Sequence, residues 1–275
     1  MSLIQIEFFK LRKQKRTFYA LGAIFLIELI VFVIAYFQGG AILDALLSTL
    51  KDTFYFSGKL LNGNLLTYML LNSLWFHIPL ILMIVISGSI TTEYQDKTLQ
   101  AVFLQPVSKW KFILSKYIVG IVFTIVVVLL LAITSFSFSY LFFGKGDLVV
   151  YLGTLNFFDS KDAFQRLVLA FASGTVSMVF FSVLSLTLGI FFRESIKTWI
   201  VAALFLIVFN LLSQLDMPFL AMNTWFLPKL NNTWQYFFYF DIPWIQIILH
   251  LLILCFYIFI TLIIGVRIFQ KRDIG

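Results

Sequence analysis

The chain has 275 residues, of which 61% are hydrophobic and 34 are phenylalanine. Soluble domains hold roughly 45–50% apolar residues, so this composition excludes an ordinary water-soluble domain and places the chain in a bilayer. The net charge is +7, but the basic residues are divided among four membrane-flanking segments rather than gathered on one soluble face, which argues against a nucleic-acid surface.

In chain order, residues 1–16 are expected to form a cytoplasmic interfacial helix. Ile4, Phe8 and Leu11 share one helical face, and the basic cluster Lys10, Arg12, Lys13, Lys15 and Arg16 begins beside it. Such a helix either anchors the chain to membrane lipid or also forms part of a docking surface for a cytoplasmic partner. Six apolar stretches follow at 17–37, 68–90, 117–143, 167–192, 198–215 and 244–268. A spanning helix needs about 20 mostly apolar residues, because its backbone must be satisfied inside the segment. The expected fold is therefore an all-α integral membrane protein, one transmembrane domain over 1–275 with six transmembrane helices. The first stretch is not read as a cleaved signal: Glu28 interrupts it, and no small-residue cleavage site follows Tyr36 and Phe37.

The connectors carry further pattern. Ile42, Leu43, Leu46, Leu47, Leu50 and Phe54 recur at helical spacing with Asp44, Lys51 and Asp52 off that face, which predicts a short amphipathic helix on the outer surface. Residues 91–116 are the longest polar interruption between strongly apolar stretches. The outer segment 216–243 holds Trp225, Phe226, Trp234, Tyr236, Phe237, Phe238, Tyr239 and Phe240, with Pro228 and Pro243 as breaks. It reads either as an aromatic belt at the headgroups or as a segment dipping into the interface.

Basic residues near helix ends are retained in the cytoplasm. They cluster in the N-terminal segment, in the second-to-third loop (Lys97, Lys109, Lys111, Lys116), in the fourth-to-fifth loop (Arg193, Lys197) and in the tail (Arg267, Lys271, Arg272). Both termini are thus expected in the cytoplasm.

Chemistry narrows the function. Neither Gly58-Lys59 nor Gly144-Lys145 has the upstream glycine and following hydroxyl of a phosphate loop, so the chain is not expected to hydrolyse ATP. The two histidines, His77 and His250, fall on different predicted helices, and no metal-ligand spacing is present. Cys255 is the single cysteine, so no internal disulfide forms.

The order of motifs in the polar segment is distinctive: Glu93-x-x-x-Lys97-Thr98-Leu99, then Pro106-Val107-Ser108-Lys109, then Lys116 at the head of the third span. This resembles the signature of type 2 ABC exporter permeases, in which a Glu is followed after three residues by Gly-Thr-Leu, then by a Pro with a Ser and a basic residue, then by a Lys. Lys97 stands where that family usually has Gly. The tail Phe269-Gln270-Lys271-Arg272-Asp273-Ile274 is similar to the family's basic ending.

The resemblance implies a permease subunit that pairs with a second permease protomer and with a cytoplasmic ABC ATPase subunit. It implies no cofactor in this chain, with ATP and Mg on the partner. It also implies a coupling helix within 91–116, with Glu93, Tyr94, Asp96, Lys97, Thr98, Leu99, Val102, Phe103 and Pro106 as the coupling residues and Glu93 pairing or capping near a helix N-terminus. The home is expected to be the bacterial cytoplasmic membrane. The expected cargo is hydrophobic or amphipathic, a peptide, drug or lipid.

Ionisable groups inside spans are costly and therefore informative. Glu28 lies about 16 Å along its helix from Thr17, near the midplane. His77 and Asn210 fall at similar depth. The three either line a substrate pathway or form a buried hydrogen-bond set that fixes helix packing. Two alternatives stay open at this point: an ion-gradient transporter or channel using Glu28 and His77 as a proton relay, and an immunity or sequestration protein.

Overall fold

The computed structural model describes residues 2–46, 60–214 and 224–272. Its elements are α1 (Leu3–Lys13), α2 (Lys15–Leu46), α3 (Gly63–Gln95), α4 (Thr98–Phe103), α5 (Lys109–Phe143), β1 (Leu148–Tyr151), β2 (Leu155–Phe158), α6 (Ser160–Phe192), α7 (Ser195–Ser213), α8 (Leu227–Leu230), a 3-10 turn (Thr233–Phe238) and α9 (Trp244–Lys271). Six of these, α2, α3, α5, α6, α7 and α9, are long and apolar enough to cross a membrane.

Most spans run longer than the apolar stretches because polar residues at their ends are compatible with helix. α3 starts at Gly63 rather than Tyr68, since the Asn62 side chain accepts a hydrogen bond from the Leu65 amide at 3.1 Å. A helix of that length is about 50 Å long, more than the roughly 30 Å hydrocarbon core, so its ends project into both interfaces.

The bundle has an inner pair and an outer shell. Two thirds of the apolar window of α6 (67%) and 56% of that of α3 are buried, against 22% for α2 and for α9. The small residues of α6 allow this close approach. A Cβ on Gly174 would overlap the Trp75 ring, and Ser182 Oγ sits 2.6 Å from Thr124 Oγ1 of α5. Gly174 and Ser182 therefore serve packing within the protomer.

α1, the start of α2 and the ends of α3, α6 and α9 meet at one end of the bundle, linked by Lys116 Nζ to Glu7 and by Lys109 Nζ donating to the Arg272 carbonyl. At the opposite end the sequence reading missed an antiparallel hairpin, β1 with β2, with Leu148 opposite Phe158. Leu148, Val150, Asn156 and Phe158 alternate inward, and Gly153 takes φ +78° in the connecting turn. The fold is all-α apart from this ribbon.

Two outer expectations need restating. α2 continues as one helix to Leu46, and the rest of the amphipathic segment proposed for Ile42 to Phe54 lies outside the described residues. Of the aromatic segment, 216–223 lie outside them too. In the part described, Trp234, Phe237 and Phe238 are buried against the bundle while Trp225, Phe240 and Trp244 face out. Three of the nine rings from Trp225 to Trp244 are thus packing residues rather than belt residues. Arg166 of α6 fixes the packed part: it donates to the Phe237 and Tyr239 carbonyls at 2.7 and 2.8 Å and lies over the Phe158 ring. His250 is buried beside this segment, with Nδ1 3.2 Å from Thr233 Oγ1.

Candidate functional site

The densest polar connectivity among the described residues lies around the last turn of α3. Thr91 Oγ1 is 2.8 Å from Ser195 Oγ, which donates to Gln95 Oε1 at 2.8 Å, tying α3 to the start of α7. Arg16, at the start of α2, hydrogen-bonds Thr92 Oγ1. Its guanidinium passes over Gly88, where a Cβ would collide with it. Tyr94 packs against Phe269 of α9 and under Arg193 of the α6–α7 turn. Consecutive side chains of one helical turn point in all directions around the axis, so a single turn can reach several neighbours.

Glu93 completes the set. It accepts from Lys10 Nζ at 2.9 Å, and its Oε2 lies 3.0 Å from Lys116 Nζ, an ion-pair contact rather than an aligned hydrogen bond. Lys116 also donates to Glu7 Oε2 at 2.5 Å and to the Ser89 carbonyl at 3.1 Å, and Lys10 bonds Glu7 Oε1 at 2.9 Å. Two carboxylates and two ammoniums thus alternate across α1, α3 and α5. The Lys116 side chain is only 1% exposed, so its charge needs both acids.

Burial opposes ionisation of Glu7, but the pairing with Lys116 and then Lys10 outweighs it and holds the carboxyl below its usual value. For Lys10, burial disfavours the charge, and Glu93 and then Glu7 overcome it and raise its value. The capping alternative for Glu93 fails: the residue lies at the C-terminal end of α3, and the N-cap of α4 is Lys97, which makes no side-chain cap bond.

The same cluster docks α1. Ser2 and Gln5 form a capping box at its start. Its buried residues are Glu7 and Leu11, whereas Ile4 and Phe8 are 42% and 40% exposed. Glu7 and Leu11 dock on the bundle, and Ile4 and Phe8 are left on the outside, as an interfacial helix requires.

α4 hangs from this turn. Lys97 adopts φ 55°, ψ 17°, the left-handed conformation that lets α3 stop and α4 start within two residues. A residue with a Cβ is strained there and glycine is not, so the position suits glycine and Lys97 holds it at a cost. The α6–α7 turn uses the same device at Arg193, φ 59°. Below the turn, Leu99 is buried and Phe103 packs edge-on against Phe112 and tilted against Phe269, with ring centroids 5.3 and 6.1 Å away. Arg272 then donates to the Ile190 and Phe191 carbonyls and closes the end of α6.

The expected coupling residues divide into two groups. Glu93, Tyr94, Leu99, Val102 and Phe103 face the protein, and Asp96, Lys97, Thr98 and Pro106 are exposed. Leu104, next to them and 88% exposed, was not singled out by sequence. Neither was Glu7, although it is the one acid among the basic residues 1–16 and sits four residues before the docked Leu11, which is the signal that marks it.

A profile of ABC-2 family transporter proteins matches residues 3–210, from α1 into α7. The chain belongs to this family. An ABC-2 permease is the membrane subunit of an ABC transporter, working with an ABC ATPase subunit and typically not catalytic itself. No curated protein gives a significant match. The matched range of the permease includes α1, the ionic cluster and α4, and leaves α9 outside.

The intramembrane residues of the permease are not brought together. Glu28 is buried between α2 and α5, where Ser135 Oγ donates to Oε1 at 2.8 Å and Thr134 Oγ1 lies 2.8 Å from Oε2. His77 is exposed, with Nδ1 3.0 Å from the Ser73 carbonyl of its own helix. Asn210 donates to the Leu206 carbonyl, also on its own helix.

Proposed function

We propose that this permease is the membrane half of an ATP-driven exporter and that the end carrying α1, α4 and the C-terminal end of α9 faces the cytoplasm. There an ABC ATPase seats against α4 and its exposed neighbours Asp96, Lys97, Thr98, Leu104 and Pro106. Closure of the ATPase, driven by its own ATP and Mg, pushes α4. The buried side, Leu99, Val102 and Phe103, passes that push to the last turn of α3, and from there to the other spans. A second permease protomer completes the pathway, in a bacterial cytoplasmic membrane, for a hydrophobic or amphipathic cargo.

The observation that carries this reading is the last turn of α3. Five consecutive residues, Thr91 to Gln95, bond or pack to α1, α2, α5, α7 and α9. A rigid element bonded to several helices moves them as one body, which is how a small shift is amplified. The proton-relay alternative has less behind it, since Glu28 and His77 share no hydrogen bond and sit in separate environments.

Leu104→Asp tests the docking surface. A carboxylate in place of an apolar contact is expected to weaken capture of the ATPase subunit by about tenfold, while the permease still inserts and folds. Undiminished capture and undiminished ATPase stimulation by this variant would remove α4 from the interface.

A further inference from the structure

One cavity of about 500 Å³ lies between α2 and α5, and none of the residues around the last turn of α3 lines it. Its walls are aromatic: Phe25, Phe32, Tyr36, Phe138 and Phe142 contribute rings, with Phe138 centred 6.2 Å from Phe25 and 5.7 Å from Phe32. Glu28 is the one ionisable side chain of carboxylate or basic type in the lining.

The hydrogen bonds of Glu28 are incomplete. Ser135 supplies one hydroxyl proton to Oε1 at 2.8 Å. Thr134 Oγ1 lies within 3.0 Å of both carboxylate oxygens but equally near the Leu130 and Leu131 carbonyls, and it has a single proton for all four acceptors. The carboxylate therefore receives at most two protons, while an ionised carboxylate offers about four acceptor positions. Among the described residues no basic side chain forms an ion pair with it. A carboxylate in apolar surroundings without a counter-charge is unfavourable, and aromatic faces attract cations. The cavity volume is within the range of small-molecule sites.

We infer that the α2–α5 groove is a binding site for a hydrophobic cation, held by Glu28 and by the faces of Phe25, Phe32 and Phe138. Charge complementarity selects this occupant over a neutral lipid tail, which needs no carboxylate, and over a second copy of the chain, whose contact here would be apolar. The inference deepens the exporter reading by naming a cargo class. Binding is measured without ATPase or nucleotide, so its failure would leave the ATPase-coupling account standing.

The probe is tetraphenylphosphonium, with triphenylphosphine oxide as the neutral counterpart, on the full-length permease in phosphatidylcholine nanodiscs. Glu28→Gln keeps an oxygen for Ser135 and Thr134, and should weaken phosphonium binding by about tenfold with binding of the oxide unchanged. Phe25→Leu is the second variant. It keeps an apolar wall and should weaken the cation by about threefold. Phe142→Cys in a Cys255→Ser background reports on a second copy in the groove. Cation-selective binding lost in Glu28→Gln, with little cross-linking through the introduced thiol, supports the site. Equal affinity for cation and oxide, no phosphonium binding at all, wild-type binding by Glu28→Gln, or quantitative cross-linking between protomers overturns it.

Discussion

The two ends of the bundle both contain packed rings, but among the described residues only the α4 end adds a four-charge cluster shared by three helices. At the α4 end, four charges alternate between α1, α3 and α5, and the turns into α4 and α7 are left-handed residues that carry side chains, Lys97 and Arg193. At the hairpin end, Trp75, Tyr68, Trp234 and Phe238 interlock, with ring centroids 4.8 to 6.2 Å apart. Arg166 secures them by donating to backbone carbonyls. Packed rings resist sliding, because each shift opens a void. Bonds from one helical turn to several helices make those helices shift together. On the proposed function, the α4 end transmits displacement and the hairpin end keeps its shape.

The largest effect expected from breaking this contrast is at Lys116. Lys116→Met leaves Glu7 and Glu93 without their shared buried cation, at a cost of about 3 kcal/mol. Thermal unfolding in detergent should show the loss, and α1 should become sensitive to protease while the hairpin stays protected. Next is Arg166→Ala at the opposite end, which leaves the Phe237 and Tyr239 carbonyls without their donor and should cost about 2 kcal/mol. Protease sensitivity should then appear around residues 233–240 and not in α1. If both variants loosened both ends equally, the division into two mechanical regions would be wrong.

A smaller effect of opposite sign is expected from Lys97→Gly. Removing the Cβ relieves left-handed strain, less the extra entropy of a glycine in the unfolded chain, for a net gain of about 0.5–1 kcal/mol. A raised melting temperature checks it. A lowered one would mean that the Lys97 side chain contributes something that its exposure does not show.

The smallest effect is with pH. Glu7 has a lowered value in the folded state, so its contribution is complete above the ordinary value of 4.5 and is lost as pH falls through the folded value. Lys10 has a raised value, so its contribution is complete below the ordinary value of 10.5 and is lost as pH rises through the folded value. Docking of α1, followed by fluorescence of a label on exposed Phe9, should therefore be flat between these limits and fall outside them. A change near neutral pH would point to a group outside this cluster.

The spans were legible because a bilayer permits few structures, and apolar length alone identifies them. The family was legible from the order Glu93, Lys97-Thr98-Leu99, Pro106 and Lys116. What the sequence concealed is pairwise. Glu7 and Lys10 are 83 or more residues from Glu93 and Lys116 in their cross-helix contacts, and no local periodicity reports such partners. α1 was legible as a helix with an apolar face, but not its docking, because the Glu7 contact to Lys116 joins residues 109 apart in sequence. The hairpin was missed because short strands with one Gly turn resemble any polar connector. Glu28, His77 and Asn210 share depth, but depth fixes only one coordinate, and their helices place them apart.

The central claim is that a push on α4 reaches the other helices through the last turn of α3. The most direct measurement places a spin label at exposed Tyr151 of the hairpin, as Tyr151→Cys in a Cys255→Ser background, and follows the distance between the two protomers of the assembled transporter by electron paramagnetic resonance. Added ATP should shift that distance with Glu93 and Tyr94 intact. In Glu93→Ala/Tyr94→Ala the ATPase should still bind and hydrolyse ATP with no shift at the hairpin. A variant that assembles, hydrolyses ATP and moves its hairpins as the unsubstituted protein does would contradict the account.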